Sequence, residues 1–174
     1  MIKINKSKTA AVSAILSTAA ILLGYVEFMI PIVPPIAGIK LGLGNIVVLF
    51  AIRSFKNKSV PFCIMLTKVM VCALLFAGFG GLPYSLTGGV CSFAAMLLLC
   101  NYDRISAVGI SAAGGAVHMA AQLVVAAIMT STASVMSLLP ILLAAGTITG
   151  FINGIIVNLV ERNVGKYLRK STDW

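Results

Sequence analysis

The chain has 174 residues, a mean hydropathy of +1.07 and a formal net charge of +9. Only 10% of its residues are charged, against about 25% in soluble domains, so the composition predicts an integral membrane protein and excludes an ordinary soluble domain. Its basic residues lie in short clusters between apolar runs rather than along one face, which argues against nucleic-acid binding.

Six apolar segments follow one another, separated by short stretches rich in polar residues, glycine or proline. A bilayer core of about 30 Å is crossed by about 20 residues of helix. We therefore predict one transmembrane domain, residues 1–174, folded as an all-α bundle of six transmembrane helices. The spans are approximately 10–30, 39–54, 60–79, 85–100, 105–130 and 138–160.

The first and second segments each leave an alternative open. The apolar region of a signal peptide has about 7–15 residues, whereas Ala10–Ile30 is longer and carries one charge, Glu27, so we expect a retained span. The second segment is short and could be partly re-entrant, because prolines at 31, 34 and 35 end the preceding helix. Gly80–Tyr84 is predicted to form the turn between the third and fourth spans.

The distribution of basic residues predicts the orientation in the membrane. With both termini in the cytoplasm, Lys40 lies outside and Lys68 lies within a span, while the other basic residues all face inward. Those residues are Lys3, Lys6, Lys8, Arg53, Lys56, Lys58, Arg104, Arg162, Lys166, Arg169 and Lys170. We expect a multi-pass protein of a bacterial-type cell membrane, in contact with the lipid bilayer. The connection Pro31–Gly38 and the predicted turn Gly80–Tyr84 should face outward.

Two rows of small residues predict close helix packing. Ala10, Ala14 and Thr18 recur every fourth residue in the first span, and the last span has a similar row at Gly146, Gly150 and Gly154. Both rows can simply pack the monomer. Alternatively, the first row docks a partner membrane protein.

Lys68 is the most informative single residue, because it lies near the middle of the third span. A central lysine costs about 2.5–3.5 kcal/mol on insertion scales, so something must offset that cost. An anionic ligand, a water-filled cavity or pairing with Glu27 would do so. Lys40 and Asn45 lie among three glycines at the start of the second segment, and Glu27 could pair with either lysine.

Further polar residues predict the lining of a binding site. His118 and Gln122 share one face of the fifth helix with Ser111, and Thr147, Asn153 and Asn158 are additional polar candidates on the last helix. The alternative for the fifth helix is interhelical hydrogen bonding. Tyr84 could close over a ligand, or simply lie at the membrane interface.

Catalysis by this chain alone is not expected. No Gly-x-x-x-x-Gly-Lys-Ser/Thr stretch is present, so a P-loop mechanism is excluded. The acidic residues, Glu27, Asp103, Glu161 and Asp173, are too far apart in sequence to form an aspartate-rich motif that would hold Mg²⁺ against a diphosphate. The lone His118 and the spacing of the four cysteines predict no metal site, and we expect no resident cofactor.

The stretch Gly38-Ile-Lys-Leu-Gly-Leu-Gly-Asn-Ile46 resembles the Gx transporter family, also labelled heptaprenyl diphosphate synthase component I. That family is similar to the substrate-binding S components of energy-coupling factor (ECF) transporters. The resemblance implies six helices, an outward-facing pocket, and a separate membrane coupling subunit with a pair of ATPases. It also implies that Ala10 and Ala14 face the coupling subunit.

Two functions remain open from the sequence. The leading hypothesis is an S component that captures a small, anionic or amphipathic, vitamin-like or cofactor-like molecule from the outer side. Its site would include Lys40, Asn45, Lys68, Tyr84, His118 and Gln122. The alternative is a non-catalytic membrane accessory subunit in isoprenoid, quinone or electron-transfer metabolism.

Overall fold

The computed structural model describes residues 6–29, 42–102 and 104–170, and every regular element in these ranges is helical. The α-helices are α1 (Lys6–Met29), α2 (Gly44–Ser54), α3 (Ser59–Cys72), α4 (Gly78–Leu99), α5 (Ala107–Thr130) and α6 (Leu139–Lys170). A π-helical turn, Ala73–Ala77, continues α3, and a 3₁₀ helix, Ala133–Leu138, precedes α6. The prediction of an all-α membrane protein is confirmed at this level.

Five of these elements are long and apolar enough to cross a bilayer: α1, α3 with its π turn, α4, α5, and α6 with its 3₁₀ turn. The helix α2 has only 11 residues, which at 1.5 Å per residue gives a length of about 16 Å. It is too short to cross the hydrocarbon core by itself. Six spans and cytoplasmic termini therefore stay predictions.

The shortest helix, α2, lies at the centre of the bundle and contacts all five other α-helices. A helix that is apolar on every side is typically buried, and the Ile-Val-Val-Leu run of α2 fits that rule. Val47 and Ala51 pack with Ala20 of α1, whereas Val48 and Leu49 belong to a larger core cluster. That cluster also contains Ile46, Ile52, Met65, Val69, Phe93, Met96, Ala107, Ile110 and Val157.

The connection between α3 and α4 differs from the prediction. The turn expected at Gly80–Tyr84 is wrong, because those residues already belong to α4, with Pro83 inside the helix. The chain reverses at Gly78, whose φ of +66° is a conformation that residues with a side chain rarely adopt. Beyond it α4 runs antiparallel to α3, with Phe93 against Phe62 at 5.5 Å between ring centroids.

The helices α5 and α6 form the closest packing in the described part of the chain. A Cβ atom on Gly146 would lie 2.5 Å from the backbone oxygen of Gly115, and one on Gly150 would strike the backbone oxygen of Ser111. A Cβ atom on Gly154 would strike the Cα atom of Val108. The glycine row of α6 therefore packs the monomer. The first row is different, because Ala10, Ala14 and Thr18 are all exposed on α1.

Two interactions fix the far end of α2. Arg53 Nε donates to Glu161 Oε1 of α6 at 2.6 Å, across a partly exposed ion pair. Lys58 Nζ donates to the backbone oxygens of Ile52 and Phe55, at 2.5 and 3.1 Å. The carbonyl of Ile52 lies in the last turn of α2 and that of Phe55 directly follows the helix. Lysine side chains commonly donate to carbonyls at a helix C-terminus.

Candidate ligand-binding site

The side chain of Lys68 crosses from α3 into the space between α1 and α2. It is only 9% exposed. Glycines make this space available: a Cβ atom on Gly44 would lie 2.5 Å from Lys68 Cε and 3.0 Å from Nζ, and one on Gly24 would lie 3.9 Å from Cε. The amine therefore lies beside the first residues of α2, which carry the partial positive charge of a helix N-terminus.

The Lys68 amine donates a hydrogen bond to a neutral side chain. Nζ donates to Asn45 Oδ1 at 3.3 Å, and among the described residues no carboxylate lies within ion-pair distance of it. Glu27 instead accepts a hydrogen bond from the backbone N–H of Gly42. Of the two pairings considered for Glu27, the one with Lys68 is thus not formed. The other partner, Lys40, lies outside the described residues.

The peptide of Gly42 connects three parts of the molecule. Its N–H donates to Glu27 of α1, and its carbonyl accepts from Asn153 Nδ2 of α6 at 3.0 Å. Gly42 has a φ of +70°, which explains why glycine occupies the position just before α2. This double anchor fixes the start of α2, and hence Asn45, relative to α1 and α6.

A small polar cavity lies where α2, α4, α5 and α6 meet. Its free volume is about 10 Å³, enough for about one water molecule. The residues that line it are Gly42, Asn45, Ser92, Met96, Ser111, Gly115, His118, Met119, Thr149, Gly150 and Asn153. Asn45 belongs both to this lining and to the contact with Lys68, so the cavity and the buried cation are adjacent.

Buried polar side chains of α4 and α5 extend the site. Ser92, His118 and Gln122 are 1%, 6% and 5% exposed. Gly88 allows α4 to approach this group, since a Cβ atom there would lie 2.8 Å from Gln122 Cγ and 2.9 Å from His118 Cε1. Within the described part of the chain, Ser92 Oγ and Gln122 Oε1 have no hydrogen-bond partner.

The structure brings together several of the residues that the sequence singles out. Asn45 and His118 line the cavity, and Lys68 contacts Asn45. Gln122 and His118 both lie against Gly88 of α4. Tyr84 is different: it is half-buried within α4 and is not among the lining residues.

Sequence reasoning missed Ser92, although a signal was available. Ser92 follows Gly88 by four residues, so the two share one face of α4. A small residue and a hydroxyl on one face of an apolar helix are typical of a helix–helix interface. Among the described residues no group of three histidine, cysteine or acidic side chains comes together to hold a metal ion.

A family model described as heptaprenyl diphosphate synthase component I matches residues 16–160. This range includes Lys68, the cavity and its whole polar lining. Neither a curated protein nor a solved structure matches the chain.

Proposed function

Since the chain belongs to the heptaprenyl diphosphate synthase component I family, we propose that it is a membrane substrate-binding subunit that resembles the S component of an ECF-type transporter. It captures a small anionic or amphipathic molecule from the outer side of the membrane. The observation that carries this proposal is the buried amine of Lys68, which lies beside a polar cavity and has no acidic partner among the described residues.

The electrostatics of the site favour an anion. A buried charge is costly unless it is paired or hydrogen-bonded, and a single amide oxygen at 3.3 Å from the amine offsets only part of that cost. The N-terminus of α2 adds a partial positive charge at the same place. Interrupted helices use their N-termini to bind anionic groups of substrates in other membrane proteins. A carboxylate or phosphate beside Lys68 and Asn45 would complete the arrangement.

The proposal assigns capture to this chain and energy supply to its partners. The sequence has no nucleotide-binding P-loop and no aspartate-rich motif, so we propose that it is not an enzyme and that separate ATPases drive transport through a membrane coupling subunit. Ala10 and Ala14 are exposed on α1, in contrast with the glycine row of α6. Their small side chains allow another helix to approach closely.

Native mass spectrometry of the gently purified protein tests the proposal. We expect a retained small molecule that is lost in Lys68→Met, a variant that removes the charge and keeps most of the side-chain volume. Lys56→Met is the matched control, because Lys56 is exposed in the α2–α3 connection and its loss should leave the bound molecule in place. Retention of the same molecule by both variants would refute the role of Lys68.

A second candidate function follows from the family description. The chain could serve as a membrane accessory to a separate prenyl diphosphate synthase or redox protein, and the exposed face of α1 would then dock that partner. Copurification in mild detergent distinguishes the two candidates. A coupling subunit with ATPases supports capture for transport, whereas a soluble synthase or redox protein with no bound small molecule supports the accessory role.

A further inference from the structure

The packing of the described helices leaves two buried polar atoms of α4 and α5 without a hydrogen-bond partner. Ser92 Oγ and Gln122 Oε1 find no hydrogen-bond partner among the described residues, although their side chains are 1% and 5% exposed. Buried polar atoms in proteins are nearly always paired with protein, water or ligand atoms. Each such atom is therefore available to a water molecule or to a polar atom of a ligand.

Interhelical bonding is the obvious alternative, and the geometry argues against it. The two helices are in close contact here: a Cβ atom on Gly88 would lie 2.8 Å from Gln122 Cγ, and one on Gly114 would lie 3.3 Å from Ser92 Oγ. A hydroxyl or amide that fastened α4 to α5 would form its bond across this contact. In the described residues neither Ser92 Oγ nor Gln122 Oε1 does so.

We propose that Ser92 and Gln122 form a neutral hydrogen-bonding subsite for the molecule that Lys68 binds, an inference that rests on the proposed function. Ser92 lines the same cavity as Asn45, whose Oδ1 accepts a hydrogen bond from Lys68. Gln122 lies beside this cavity, because Gln122 and the lining residue His118 both face Gly88. Gln122 Oε1 is an acceptor, so the uncharged end of the molecule presents an N–H or O–H group to it. The substrate class is a compact anion with a hydrogen-bonding uncharged end, such as an amide or a hydroxyl.

The same subsite excludes an isoprenoid tail. Alkyl groups cannot satisfy the Ser92 hydroxyl or the Gln122 carbonyl, and burying a polar group against hydrocarbon costs free energy. A prenyl diphosphate bound through Lys68 would leave both atoms without partners. The subsite therefore favours binding of a polar molecule over binding of the isoprenoid that the family description names.

The first test uses purified protein from which any bound molecule has been removed, and it needs no knowledge of the cargo. Removing an unsatisfied polar atom should stabilise the empty state, so we expect Ser92→Ala and Gln122→Met each to raise Tm by about 2–4 °C. Ser85→Ala is the matched control, since Ser85 is a buried serine on the same helix that has an interaction partner. Its removal should lower Tm.

A lower Tm in both Ser92→Ala and Gln122→Met, as expected for Ser85→Ala, would overturn the subsite, because it would show that other groups of the protein already satisfy these two atoms. A second measurement is the chemical composition of any molecule released from the wild-type protein. A polar molecule with N–H or O–H donors supports the subsite, and an isoprenoid overturns it. Failure of the proposed function is separate, because it is read from the response of the bound molecule to Lys68→Met.

Discussion

The contact between Gly115 and Gly146 permits a quantitative test of the helix packing. A Cβ atom on Gly115 would strike the backbone oxygen of Gly146, so Gly115→Ala requires α5 and α6 to separate. Overpacking costs about 1–3 kcal/mol, and a contact with backbone, which cannot rotate away, belongs to the upper part of that range, about 2–3 kcal/mol. The better helix propensity of alanine returns about 1 kcal/mol. We expect a net loss of about 1–2 kcal/mol, which lowers Tm by roughly 2–8 °C in a chain of this size.

Thermal unfolding in mild detergent measures this effect, and Gly80→Ala provides its control. Gly80 lies in α4, and nothing is within 4 Å of a Cβ atom placed on it. Its replacement should therefore leave stability unchanged or raise it by up to about 1 kcal/mol. If Gly115→Ala and Gly80→Ala behave alike, the close approach of α5 and α6 is wrong.

Three further predictions concern other parts of the molecule. Gly44→Ala should weaken anion binding by displacing the Lys68 amine, whose Nζ would lie 3.0 Å from the new Cβ atom. Titration calorimetry with the bound molecule, once released and identified, measures the affinity, and an unchanged affinity would contradict the prediction. Arg53→Ala should lower the free energy of unfolding by at most about 1 kcal/mol, and by less at high salt, because the ion pair with Glu161 is partly exposed. Restored stability in the charge-swapped double variant Arg53→Glu with Glu161→Arg would support the pairing. A larger, salt-independent loss in Arg53→Ala would refute it. Burial raises the pKa of the Cys100 thiol. The neutral thiol therefore stabilises the fold below the ordinary thiol pKa, and this stabilisation is lost as the pH rises through the raised pKa of the folded protein. Alkylation of a variant with only this cysteine should need a higher pH than alkylation of a free thiol, and an equal or lower pH would refute the shift.

The polar residues of the site show how far sequence reasoning reaches. Lys68 stands out because a charge in an apolar helix is costly wherever the helix lies. Its neighbours are less accessible to such reasoning, because Asn45 and Ser92 come from helices whose mutual approach depends on tertiary packing. The hydrogen bond of Glu27 to the backbone N–H of Gly42, and the lack of a pair with Lys68, also depend on where Gly42 lies in space.

The turn between α3 and α4 shows a second limit. Gly80, Gly81 and Pro83 are a strong turn signal in a soluble protein. In an apolar helix proline is tolerated more easily, because neighbouring groups can satisfy the freed backbone atoms. The reversal takes place at Gly78 instead, and several nearby glycines could have supplied it.

Composition and the length of the apolar runs were enough to predict a helical membrane protein, because both depend only on residue type. The sequence also identified Lys68, since a buried charge is conspicuous without any structure. Three other features are visible only in the folded molecule: the shortest helix, α2, is central, Lys68 contacts Asn45 and not Glu27, and Ser92 faces the cavity. These facts depend on which helix faces meet in space. The helices that the structure describes are apolar over most of their surface, so hydrophobic periodicity does not specify those faces.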